Sequence, residues 1–244
     1  MEVGKRTTPA KLAAEIRHFL KAGGSQGRAR GVQRFFKERV QSHGWHTADL
    51  GRASQRLRRE ILKQFGLSFL LDVADRLFAG TVNEEKTVAV FLLENITGKF
   101  GDDEFKLLES WLPRISNWSD HDALVHYLIA PMIGAKPSRA SKVFCWAKSP
   151  NRWLRRAACV ALIQGARRKM FLSEVIRSSD HLLSDEDDMV RKGLGWLLRE
   201  AVKADPKRTL PYLMCIRKRA LRLVLRTACE TLSPAVRKRI LAGF

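Results

Sequence analysis

The feature that most constrains this chain is a succession of about a dozen helix signals, with short connections and no convincing alternating strand between them. A helix must bury its apolar stripe against something, and here only other helices are on offer. Many short helices in line are more natural to a HEAT-like helical-repeat solenoid than to a closed bundle. The expected fold is therefore all-α and C-shaped, a single domain over residues 1–244 with a basic concave face.

The individual signals are local. Thr8-Pro9 reads as a helix cap followed by its first residue, and Leu12, Ile16, Phe19 and Leu20 follow at helical spacing until Gly23-Gly24. Val32, Phe35, Phe36 and Val40 mark a second helix. Thr47 is placed to cap a third, and Ser68, Asn83 and Asp102 the next three. Later helices are expected at about 119–133, 137–147, 151–165, 171–183, 188–203, 206–217, 220–232 and 234–242.

Charge narrows the function. The chain carries 45 Lys and Arg against 25 Asp and Glu, a net +20. Residues 1–63 hold 15 basic and 5 acidic side chains, and residues 205–244 hold 10 and 2. Two basic ends around a near-neutral centre suit a polyanion that touches both ends of the molecule. A membrane surface would favour one basic amphipathic helix, whereas this charge recurs on several segments. No run reaches membrane-spanning length, and the first residues carry charge without an apolar core, so no membrane partner or leader is expected and the location is expected to be cytoplasmic. The four cysteines form no close pair, which favours reduced thiols. The six histidines are scattered, His121 and His126 being five apart, and no metal or cofactor is expected.

Three segments could carry chemistry. In Asn117–Asp122 (NWSDHD), Trp118 and Asp122 lie four apart and share a helix face. An indole beside a carboxylate suits a cationic ligand, although a core tryptophan next to a capping aspartate gives the same pattern. In Arg152–Ala158 (RWLRRAA), Arg155 and Arg156 flank an apolar face and suit phosphate, or simply a solvated helix edge. In Gly193–Glu200 (GLGWLLRE), two glycines inside a helix cost roughly 1 kcal/mol each, so a ligand or a closely packed helix should compensate beside Trp196. The acids Asp185–Asp188 complement a helix N-terminus. Phe35, Phe36 and Trp45 could stack on bases, but at helical spacing they read more readily as core.

In this order and spacing the three segments resemble the DNA alkylation repair family, the AlkD-like alkylpurine DNA glycosylases. The likeness is strongest from about Trp111 to Lys203, with RKGLGWLLREAVK (Arg191–Lys203) its most specific part. Gly44-Trp45-His46-Thr47 extends it weakly toward the N-terminus, and the last 40 residues match mostly in character. The resemblance implies a stack of HEAT-like repeats holding duplex DNA. It also implies excision of positively charged 3-methyladenine and 7-methylguanine without extrusion of the base into a pocket. By motif position it places the catalytic aspartate on Asp122, the lesion-side tryptophans on Trp118 and Trp196, and a backbone-contacting arginine on Arg156. With Arg156, the candidate DNA contacts are Arg155, Arg199 and Thr47. Such a site needs no cofactor, and the protein is expected to act as a monomer on double-stranded DNA with alkylated bases.

Where the family carries small or apolar residues, this chain has Asp120 and His121. Asp120 need not share a site with Asp122; if it did, one carboxyl pKa would rise. His121 is either a helix-face residue or a group that tunes the pocket. The alternatives are a non-catalytic binder of structured or branched DNA, which retention of Trp118, Asp122 and Trp196 disfavours, and a protein-binding scaffold, which has no need of such a positive field.

Overall fold

A computed structural model describes residues 3, 4 and 6–242, and among these every regular element is helical. The pairing of Gln41 with Val82 is an isolated bridge. No helix of the described residues is long and apolar enough to cross a membrane. The all-α helical-repeat expectation therefore holds. Contacts within the chain gather into two compact units, Met1–Leu128 and Ile129–Phe244.

The first unit contains α1 (Pro9–Ala22), α2 (Gln26–Val32), α3 (Thr47–Gln64), α4 (Gly66–Phe78), α5 (Asn83–Leu93), α6 (Asp102–Trp111) and α7 (Trp118–Leu124). The Thr8 hydroxyl accepts from the Lys11 N–H, and Pro9 opens α1 where a missing N–H costs nothing. Leu12, Ala13, Ile16 and Leu20 form its buried face. α5 packs on α3, α4 and α7, and Phe78 stacks on Trp111 at 4.4 Å.

Three charged residues open α5, and all are buried. The Glu84 carboxylate accepts from the N–H groups of His43 (2.9 Å), Gly44 (2.8 Å) and Trp45 (3.3 Å) and from the Ser42 hydroxyl (2.6 Å). It thereby satisfies a loop that has no ladder of its own. Gly44 sits there at φ +78°, and an added Cβ would lie 2.3 Å from the Ser25 carbonyl oxygen, so only glycine fits. Glu85 pairs with Arg17 at 2.8 Å, and Lys86 with Asp120 at 3.0 Å.

Some expected helices differ. The Val32–Val40 helix does not form as expected: α2 buries no residue, a 3-10 turn covers Gln33–Phe35, and Phe36 is extended. Phe36 is drawn off by a distant partner and stacks on Trp118, while Phe35 stays exposed. The caps also shift. His46, Val82 and Gly101 precede α3, α5 and α6, leaving Thr47, Asn83 and Asp102 as first helical residues, while Ser68 lies inside α4.

The second unit contains α8 (Ala130–Ala135), α9 (Ala140–Ala147), α10 (Arg152–Val160), α11 (Ile163–Arg167), α12 (Leu172–Leu182), α13 (Asp188–Ala204), α14 (Pro206–Ile216), α15 (Arg222–Ala228) and α16 (Pro234–Leu241). α13 is its axis and packs against α10, α11, α12, α14 and α15. The helix expected at 119–133 is divided into α7, a π-helical segment Val125–Ile129, and α8. Pro131 has no N–H to give the carbonyl four residues earlier, which loosens the ladder there. A turn at Ala161-Leu162 likewise divides the helix expected at 151–165. Cys159 and Cys229 are buried, whereas Cys145 and Cys215 are exposed, and all four are free thiols.

Candidate active site

The start of α7 sets the candidate chemistry of the first unit. Asn117, nearly fully buried, caps the helix by accepting from the N–H groups of Ser119 (2.8 Å) and Asp120 (3.0 Å). That cap makes Trp118 the first helical residue and puts Asp122 one turn on, along the same face.

The two acids of this turn have opposite environments. Asp120 points inward. Its Oδ2 accepts from Lys86 Nζ (3.0 Å) and the Ser116 hydroxyl (2.7 Å), and Lys86 Nζ also donates to the Arg114 carbonyl at 2.6 Å. The Lys86 and Asp120 side chains are only 4% and 1% exposed. Asp122 keeps 24% of its side chain exposed, and its Oδ1 lies 2.7 Å from Nδ1 of His121, which is fully buried. An ionised carboxylate can only accept, so with Asp122 charged Nδ1 carries the proton. The carboxylates thus do not share a site. His121 is the neighbour that orients Asp122.

Trp118 is not a core tryptophan, since 36% of it is exposed. Phe36 stacks on it with centroids 5.1 Å apart and planes 18° from parallel, and its Nε1 donates to the Phe35 carbonyl at 3.2 Å. An indole held at one face and at its N–H is fixed in orientation, which a cation–π contact requires. Thr47, also in this unit, is exposed at the start of α3.

Arg155, Arg156, Trp196 and Arg199 belong to the second unit. Asn151 caps α10 by accepting from the Trp153 N–H at 2.8 Å. The arginines that follow are engaged within the unit. Arg155 pairs with Asp185 at 2.6 Å and donates to the Ser149 and Pro150 carbonyls. Arg156, expected on a helix edge, is 6% exposed and donates to the Met189 carbonyl at 2.6 Å. Arg199 pairs with Glu230 and with Glu200. Trp196 is half-buried on α13. The acidic run does more than complement a dipole: Asp187 caps α13 and pairs with Arg152 at 3.2 Å. Burial alone would raise the Asp187 pKa, but the Met189 N–H and Arg152 hold it below the usual carboxylate value.

The glycines of GLGWLLRE are explained by packing. A Cβ on Gly193 would lie 3.2 Å from Arg156 Cγ, and one on Gly195 would lie 2.6 Å from Thr227 Cβ and 3.1 Å from the Val224 carbonyl oxygen. Gly195→Ala is accordingly expected to destabilise the protein by about 1–3 kcal/mol through overpacking of α13 on α15, read as a shift in urea midpoint. An unchanged midpoint would show that this contact yields freely. Among the described residues no group of three or more His, Cys, Asp or Glu side chains could hold a metal ion.

Residues 16–232 match the model of the family described as DNA alkylation repair enzyme. The chain belongs to the DNA alkylation repair enzyme family. The match spans both units and all three chemistry-bearing segments. No functionally curated protein matches the chain significantly. Among solved structures, it is similar to a predicted DNA alkylation repair enzyme from Enterococcus faecalis, at 17% identity and a TM-score of 0.78, over 86% of this chain and 97% of that one. At that identity the likeness concerns the fold. Membership in the DNA alkylation repair enzyme family supports a role in alkylation repair and points to DNA as the substrate class.

Proposed function

We propose that this protein is a monofunctional DNA glycosylase of the AlkD-like kind, with HEAT-like repeats. It hydrolyses the N-glycosidic bond of positively charged alkylated purines, 3-methyladenine and 7-methylguanine, in duplex DNA. The observation that carries the reading is the pairing on α7 of a partly exposed, oriented indole with a partly exposed carboxylate, Trp118 and Asp122. A cationic purine leaves with the bonding electrons as a neutral base, so no acid is needed to protonate it. Positive charge then develops on the sugar, where the Asp122 carboxylate stabilises it. Water bonds to C1′ and gives up its proton to Asp122 or to solvent. The exposed part of Trp118 offers a ring face to the cationic base. By its place in GWLLRE, Trp196 is proposed as the second aromatic contact. Arg155, Arg156, Arg199 and Thr47 are proposed to meet the DNA backbone. For the first three, a phosphate must compete with the internal partners described above, which favours weak, adjustable contacts.

The test is incubation with duplexes carrying 7-methylguanine, 3-methyladenine, hypoxanthine or uracil, followed by detection of free base. The two cationic lesions are expected to be released and the two neutral ones to be released poorly. Efficient release of uracil would overturn the charge-based mechanism. Release of no alkylated base would overturn the glycosylase reading.

A further inference from the structure

Two adjacent aromatic residues of the first unit face different ways. Phe36 turns in to stack on Trp118, while Phe35 is held outward with 67% of its surface exposed. The loop that carries them is clamped by one side chain. Gln33 Nε2 donates to the carbonyls of Phe36 (3.3 Å) and Glu38 (2.8 Å), and Gln33 Oε1 accepts from the Val40 N–H (3.0 Å). The Phe35 carbonyl is occupied by the Trp118 indole N–H. Phe35 is therefore presented by a fixed backbone. Arg34 lies 5.5 Å from the Phe35 ring centroid, its guanidinium held by the Gly31 carbonyl at 3.1 Å. Lys37 and Arg39, nearby in the loop, are exposed as well.

An exposed ring costs hydration free energy unless something covers it. A protein groove that accepted Phe35 would have to accept the Arg34 guanidinium beside it, in a loop that also exposes Lys37 and Arg39. A nucleotide matches both features, with a base face for the ring and a phosphate for the guanidinium. A base inside an intact duplex has its faces covered by its neighbours. We propose that Phe35 stacks on a base that has left the helical stack, with Arg34 on the adjoining phosphate, making this loop a second nucleotide contact beside Trp118. The inference rests on the reading that the chain acts on DNA, and it goes beyond that reading by assigning a site for an unpaired base.

The experiment measures affinity by fluorescence anisotropy for unmodified duplexes of equal length, one fully paired and one with a single bulged nucleotide. The wild-type protein is expected to bind the bulged duplex roughly fivefold more tightly, or better, as base–aromatic stacking allows. Phe35→Ala should erase that preference while leaving affinity for the paired duplex nearly unchanged, and Phe35→Trp should keep it. Equal wild-type affinities, or a preference that survives Phe35→Ala, would overturn the proposal. Because the DNA carries no lesion, a failure to release alkylated bases would count against the glycosylase and leave this result standing. Normal excision without a bulge preference would do the reverse.

Discussion

Asp122→Asn is expected to slow base excision by roughly 10²–10³-fold, the range seen when one electrostatic partner of a transition state is removed. The change replaces a charge by a dipole of the same shape. Asn can still accept from His121 Nδ1, 2.7 Å away in the wild type, so α7 should fold as before. Sugar cation character exists only as the glycosidic bond breaks, so the lost interaction is one the ground state never had, and DNA affinity should change little. Single-turnover release of 7-methylguanine, beside binding to the same duplex, separates the two quantities. A mutant within a few-fold of wild type in rate would remove Asp122 from the mechanism. Equal losses of rate and affinity would instead make it a binding residue.

Asp120, two residues earlier, is expected to behave in the opposite way. Its carboxylate and Lys86 are both almost fully buried, 3.0 Å apart. Asp120→Ala leaves an ammonium stranded in the core, which typically costs about 3–5 kcal/mol. Lys86→Ala strands the carboxylate with similar effect. The double replacement Lys86→Met with Asp120→Leu should recover most of the loss, because the buried pair itself contributes little net stability. Urea denaturation followed by circular dichroism reads all three. Single variants that lose less than about 1 kcal/mol would mean that the stranded group finds water.

Those two acids illustrate what the sequence could and could not say. The cap at Thr8-Pro9 was legible because its partners lie within one turn. The cost of Gly193 and Gly195 was legible too, but not what offsets it, since Thr227 lies more than thirty residues away. The spacing of Trp118 and Asp122 puts them on one face, as observed. Asp120 has a local partner in Ser116, but the charge that lets its carboxylate turn inward is that of Lys86, which no local pattern indicated. A signal did exist: Lys86 stands in the first turn of α5, just ahead of the apolar run Val88–Leu93, at the helix end that favours acids, so it has no dipole reason to be there. Phe36 was misread for the same reason, its partner being 82 residues on. Apolar spacing reports that a residue is to be covered, and not by what. The shifted caps at Thr47, Asn83 and Asp102 are one-residue errors, within the usual spread of helix boundaries.

The charged opening of α5 also orders events in time. Glu84, Glu85 and Lys86 each find their partner in a different segment, at residues 42–45, at Arg17 and at Asp120. The first two partners precede α5 in the chain and are available as soon as it is synthesised. The third arrives only with α7, and until then an uncompensated lysine resists being sealed into the interior. The first unit should therefore close last at the turn that bears Trp118 and Asp122. A nascent chain that stops short of residue 120 is therefore expected to leave that seam open, since Lys86 still lacks the carboxylate that compensates its charge.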